Sequence, residues 1–190
     1  MSKFKQKTQI LIPLKRERIL EKLLVTTDLS PLSLVALDYA NSISETYDAK
    51  VCLVYVCDKL PSQKKLAKSS QLREEVKRFK KRIKEKLKNL AIEKLNLAEE
   101  VEIVLLEGYP YKEIIKYAID NNVGLIIVAT HGRTGFSHIL MGSVAEKIVR
   151  YSPVPVLVVK PPMVSTNFLT RDDVERELHL KYKQDDFFEF

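Results

Sequence analysis

The sequence predicts an α/β fold: an open, twisted sheet of five parallel strands in the order 3-2-1-4-5, with helices on both faces. Three observations predict it. Short apolar runs alternate with stretches of helical periodicity over residues 22–160, the β-α-β succession that builds a parallel sheet. Two of the runs, 51–57 and Leu125–Ala129, are almost uninterrupted, as strands covered on both faces must be. Turn chemistry falls between the runs, with Ser30-Pro31, Gly108 to Pro110 and Ser152 to Pro155 as punctuation.

Taken in order, residues 1–18 form an N-terminal arm of alternating basic and apolar residues, in which 9–13 is a weak candidate for an extra strand. The domain proper is expected over 19–161. Its first strand is the run 23–25, followed by Thr26, Thr27 and Asp28. Ser30 then reads as a helix N-cap with Pro31 at the first helical position, and Leu34, Leu37, Ala40 and Ile43 share the buried face. The second strand is 50–58. Residues 59–70 turn basic and polar and read as a loop. Leu72, Val76, Phe79, Ile83, Leu87 and Leu90 follow at steps of four, three, four, four and three, which is a long amphipathic helix.

The third strand is 101–106. Gly108 and Pro110 turn the chain into a helix carrying Ile114, Ile115, Ala118 and Ile119, which closes around Gly124. Leu125–Ala129 is the fourth strand, and Val144, Ala145, Ile148 and Val149 mark the next helix. Val156–Val159 is the fifth strand. The tail, 162–190, has a possible short helix from Thr170, and Phe187, Phe188 and Phe190 offer a docking end.

Composition narrows the class. With 45% hydrophobic and 30% charged residues the chain is globular, and no apolar run approaches the roughly 20 residues that span a bilayer. Residues 1–7 lack the apolar core of a secretory signal, so a cytoplasmic location is expected, with no membrane partner. Cys52 and Cys57 lie at odd separation on one strand, roughly 16 Å apart at about 3.3 Å per residue, and cannot bridge. The net charge of +7 is uneven: residues 59–100 hold fourteen Lys and Arg against six Glu, while 165–190 hold four against seven acids. Those bases flank the apolar stripe of one amphipathic helix, which contains Phe79 and no glycine, so a solvated helix face is favoured and nucleic acid is not an expected partner.

Three of the five glycines fall in the stretch 129–143, between the fourth strand and its helix. Such a loop presents backbone N–H groups at a helix N-terminus, where free donors and the helix dipole attract an anion, here the phosphates of a nucleotide. A doubly wound, Rossmann-like sheet binds ligands beyond the C-terminal ends of its strands where the order reverses. That point lies between the first and fourth strands. Asp28 and the glycine-bearing loop, distant in sequence, therefore converge there. Asp28 by itself is equally an ordinary turn carboxylate. Neither a Walker A loop nor Gly-x-Gly-x-x-Gly is present.

The segment 25–30, Gly108-Tyr109-Pro110, the run 130–133, Gly142 to Lys147 and the run 152–159 together resemble the universal stress protein (UspA-like) family, in the family's order, over roughly 18–161. The resemblance implies an adenine-nucleotide-binding fold of five strands and a homodimer. ATP-binding members carry Gly-x2-Gly-x9-Gly-Ser/Thr. This chain keeps that spacing as Ala129-x2-Gly132-x9-Gly142-Ser143, with Ala at the first glycine. If position 129 needed φ > 0 or close approach of the ribose, the methyl would interfere; if it offers only backbone, it would not. By position, Gly132, Gly142, Ser143 and Val144 would donate to the phosphates of ATP, accompanied by Mg2+ or Mn2+. Asp28 would accept from the ribose, and Thr26, Thr27 and Val56 would border the adenine. His131 reads as a loop-ordering residue, and Arg133 as a phosphate counter-charge or a plain surface arginine.

His131 and His138 lie seven apart without a third ligand at metal-binding spacing, so no metal site is expected from side chains. Ser143 has no identifiable base beside it, so no catalytic residue is assigned. The expectation is a binding module acting in stress response or signalling as a dimer through the Val156–Val159 edge. The alternatives are a weak ATPase and a nucleotide-free interaction protein.

Overall fold

The structure, a computed structural model, describes residues 20–95, 101–130 and 141–160. The elements run β1 (Lys22–Thr26), α1 (Pro31–Tyr47), β2 (Lys50–Cys57), α2 (Gln63–Lys68), α3 (Ser70–Lys94), β3 (Glu102–Glu107), α4 (Pro110–Asp120), β4 (Leu125–Ala129), α5 (Ser143–Tyr151) and β5 (Val156–Val159). The five strands form one sheet in the order β3-β2-β1-β4-β5, every pairing parallel. The expected fold class and strand order are what the structure has. The arm, the tail with the short helix expected from Thr170, and residues 131–140 lie outside the described residues.

The pleat divides the apolar strand residues between two cores. Leu23, Val25, Val51, Leu53, Cys57, Ile127 and Ala129 pack with Ala36, Leu37 and Ala40 of α1 and Ile83, Leu87 and Ala91 of α3. Leu24, Cys52, Val54, Val56, Ile126 and Val128 face Ile114 and Ala118 of α4 and Ala145 and Ile148 of α5. Alternation at period two under continuous hydrophobicity is the mark of a central parallel strand. It also puts Cys52 and Cys57 in opposite cores, both buried and unbridged.

Helix starts follow their capping chemistry. Ser30 Oγ accepts the Ser33 N–H at 3.2 Å, with Pro31 next in line. Ser69 Oγ accepts the Leu72 N–H at 3.2 Å at the head of α3. Gly108 adopts φ +134 ahead of α4, a conformation open only to glycine at low cost. One expectation fails: residues 59–70 are not wholly loop, since Gln63–Lys68 is helical. It is a single polar turn and a half with no buried residue, packed on α3, so it lacks the apolar repeat that reveals a helix in a sequence.

Candidate functional site

β1 and β4 are adjacent and their connections leave to opposite sides, so a crevice opens above their C-terminal ends. Its volume is about 280 Å³, close to the lower end of ordinary small-molecule sites at ~300 Å³. Thr26, Thr27, Asp28, Val56, Ala129, Gly142, Ser143 and Val144 all line it. His131, Gly132 and Arg133 lie outside the described residues. The lining also includes Ser33, Asp58, Lys59, Ile114 and Thr130, which sequence reasoning did not single out. Ser33 had a signal, three residues after the Ser30 cap; Asp58 and Lys59 sit where β2 ends and carry no motif.

One wall is the turn after β1. Thr27 extends the sheet through its N–H to Val54 O at 3.1 Å. Its hydroxyl accepts the Leu29 N–H at 3.0 Å and lies 2.8 Å from the Ser33 hydroxyl. Asp28 Oδ1 accepts the Ser30 N–H at 3.0 Å, an Asx turn that orients the carboxylate. Leu29 is held at φ 66, strain of order 1–3 kcal/mol that the surrounding bonds maintain. Asp28 thus has both the turn role and a place on the crevice.

The opposite wall is the head of α5. The Thr130 N–H donates to Val159 O at 2.8 Å, and Thr130 O accepts the Gly142 N–H at 2.6 Å. Thr130 and Gly142 thereby bring the two ends of the 131–141 segment together. Gly142 is the N-cap of α5 and contributes no side-chain cap. The next amides, of Ser143, Val144 and Ala145, have no intrahelical acceptor, and Ser143 is exposed.

The backbone at Ala129 answers the conformational half of the question that its methyl raised. It ends β4, paired with Val159, and among the described residues only Leu29, Asp48, Asn122 and Gly108 have positive φ. The side chain belongs to the α1 core. Glycine is not needed there for backbone conformation.

The described lining residues include two carboxylates, Asp28 and Asp58, and one cation, Lys59. An anionic ligand would therefore rely on amides and the helix dipole, not on lysine or arginine side chains of this part of the crevice. No cluster of three metal-ligating side chains occurs among the described residues.

A second cleft of about 570 Å³ lies at the other end of the strands, lined by Lys22, Cys52 and Glu102 among others. Its central polar groups bind one another: Tyr117 OH donates to Glu102 Oε1 at 2.8 Å, Cys52 Sγ to Glu102 Oε2 at 3.3 Å, and Lys22 Nζ lies 3.2 Å from Glu102. Burial pushes the Cys52 thiol up to about 11, helped by the Glu102 carboxylate, so it is no nucleophile at neutral pH. Larger though it is, this cleft contains a closed network, and it sits at the strand ends where such sheets do not bind ligands.

Universal stress protein MJ0531 of Methanocaldococcus jannaschii is 34% identical over 152 residues, 77% of this chain and 85% of its own length. The solved structure of MJ0577 from the same organism superposes with a TM-score of 0.65 at 31% identity, covering 76% of this chain and 99% of that one. A universal stress protein solved in complex with cAMP shares the fold, with a TM-score of 0.52 at 23% identity over 75% of this chain and 98% of that one. No described helix is long and apolar enough to cross a membrane. The sequence profile of the universal stress protein family matches residues 20–160. That match starts just before β1 and ends just after β5, so it takes in the whole sheet, and the chain belongs to the universal stress protein family.

Proposed function

We propose that the β1/β4 crevice binds an adenine nucleotide, ATP with Mg2+ or Mn2+, and that the protein works as a dimeric, cytoplasmic stress-response or signalling module, not as an enzyme. The observation that carries this reading is the pairing of Thr130 with Gly142, which leaves the amides of Ser143, Val144 and Ala145 open at the head of α5, across from Asp28. Phosphate oxygens are the natural acceptors for those amides, and a carboxylate set by an Asx turn is a natural acceptor for ribose hydroxyls. Thr26, Thr27 and Val56 form the floor that would border the base. Among the described lining residues, two carboxylates and one lysine do not neutralise a triphosphate, and a divalent cation coordinated by phosphate oxygens and water would supply that charge.

That a protein of this fold holds cAMP is a property of that protein, and the case here rests on this chain's own crevice. The dimer reading rests on β5 as an edge strand with half-buried Val156, Leu157 and Val158. The test is to denature the purified protein and assay for released ATP, ADP or AMP, then titrate the apoprotein with ATP and magnesium by calorimetry. Absence of both released nucleotide and binding heat refutes the proposal. A monomeric mass by light scattering at micromolar concentration refutes the dimer.

A further inference from the structure

Helix α3 carries chemistry that the crevice does not use. Its inner stripe, Ile83, Leu87 and Ala91, packs under the sheet. Its outer face presents Lys77, Lys81, Lys84 and Lys88, all exposed, at steps of four, three and four. At 3.6 residues per turn these four fall within an arc of about 60° and form one stripe about 16 Å long. Across Ser70–Lys94 there are ten Lys and Arg against four Glu. Like charges three and four residues apart destabilise a helix, and the stripe's two ion pairs, Lys77 with Glu74 and Lys81 with Glu85, are exposed and 4.0 Å long. Four residues beyond Lys88 stands Ile92, 67% exposed. A row of ammonium groups ending on a bare isoleucine suits a partner that is both acidic and apolar.

The chain carries such a segment. Asp185, Asp186, Phe187, Phe188, Glu189 and Phe190 combine three carboxylates with three phenyl rings. Residues 161–185 can span up to about 80 Å extended, against a domain whose radius of gyration is ~15 Å, so the segment reaches any face. Tethering also gives it a millimolar effective concentration, enough for a weak contact to form. A nucleic acid fits less well, because Glu74 and Glu85 border the stripe and Ile92 offers phosphate nothing.

We propose that the outer face of α3 is a docking surface for residues 185–190 of the same chain. The carboxylates lie along Lys77, Lys81, Lys84 and Lys88, and a phenyl ring covers Ile92. The test is zero-length carbodiimide cross-linking of the full chain at low salt, read by mass spectrometry on a mixture of natural-abundance and 15N-labelled protein. The expected result is cross-links from these four lysines to Asp185, Asp186 or Glu189, within isotopically pure species and lost at 0.5 M salt. The triple variant Phe187→Ala, Phe188→Ala, Phe190→Ala retains every reactive group, and it should lower their yield at least roughly fivefold, on the order of one apolar anchor. Cross-links spread evenly over lysines of other helices overturn the proposal. So do links joining light to heavy chains, which would place the segment on a second copy. Equal binding of a 20-nucleotide single strand to the native chain and to an Asp185→Asn, Asp186→Asn, Glu189→Gln variant overturns it too, since the tail would then not occupy the stripe.

Discussion

The amide of Gly142 donates to the carbonyl oxygen of Thr130 at 2.6 Å, and a Cβ on residue 142 would stand 2.8 Å from that same oxygen. The hydrogen bond between these two residues therefore leaves no room for any side chain, although φ at Gly142 is an ordinary −66. Gly142→Ala must lengthen the bond or shift the head of α5. The expected cost is about 1–3 kcal/mol of stability, as for overpacking elsewhere, with at least a tenfold loss of ATP affinity. Denaturant unfolding and calorimetry on the variant check both. Unchanged affinity would remove the α5 amides from the site.

Position 129 predicts the opposite outcome. Ala129 sits in regular strand conformation with its methyl in the α1 core, 7% exposed. Ala129→Gly should leave nucleotide affinity within about threefold, since no strain is relieved. It should cost roughly 1 kcal/mol in stability, from lost burial and added backbone entropy. A large gain in affinity would show that the methyl does obstruct the ligand.

These two residues also mark what a sequence can and cannot disclose. The nearly uninterrupted apolar runs of β2 and β4 gave the sheet, because burial on both faces leaves a signal in every residue, and the rules of doubly wound sheets gave its order. The convergence of Asp28 with Gly142 followed from topology alone. What was not legible depends on register and small distances. Cys52 meets Glu102 because they are partners in the β2–β3 ladder, and Tyr117 joins them from α4. No spacing in the chain announces that set. Helix α2 escaped notice for a different reason, having no buried residue to make a pattern.

Asp28 allows turn and ligand roles to be separated. An Asn side-chain oxygen can still accept the Ser30 N–H, so Asp28→Asn should hold the turn and keep Tm within about 2 °C. It removes the charge that strengthens bonds to ribose hydroxyls, so affinity should fall roughly tenfold. Asp28→Ala should lose affinity and stability together. If Asp28→Asn binds ATP as well as the native chain does, Asp28 is only a turn residue.

The network at the other end of the strands makes a pH prediction. The Tyr117 hydroxyl is the main cause holding the Glu102 carboxyl below its usual range, while burial raises the Cys52 thiol to about 11 from 9.0. A raised folded-state value means that the unfolded chain deprotonates first. Stability from Cys52 is thus complete below pH 9 and is lost as pH rises from about 9 to about 11. Cys52→Ser should flatten that alkaline decline in Tm. For Glu102 the sign reverses, and its contribution is lost as pH falls through its depressed value. Tyr117→Phe should make that acid loss shallower and cost about 1 kcal/mol at neutral pH, at the low end because Glu102 is half exposed.

The edge of the sheet yields a test of dimerisation that spares the fold. Ile126 donates to Pro155 O and Thr130 to Val159 O, so alternate residues of β5 turn their backbone groups toward β4. By the strand's period of two, the N–H and C=O of Val156 and Val158 point away from β4, to the open edge. Proline at such a position removes an outward donor and leaves the inner ladder intact, which is why edge strands tolerate it. Val158→Pro should therefore keep a cooperative unfolding transition while converting a dimer to monomer by light scattering. A variant that stays dimeric would show that the copies do not pair through β5 backbone. One that loses cooperative folding would instead show that the β5 conformation itself, and not its outward donor, had been the sensitive feature; in that event Val156→Lys and Val158→Lys, which keep every backbone bond, supply the same comparison through charge repulsion across a shared edge.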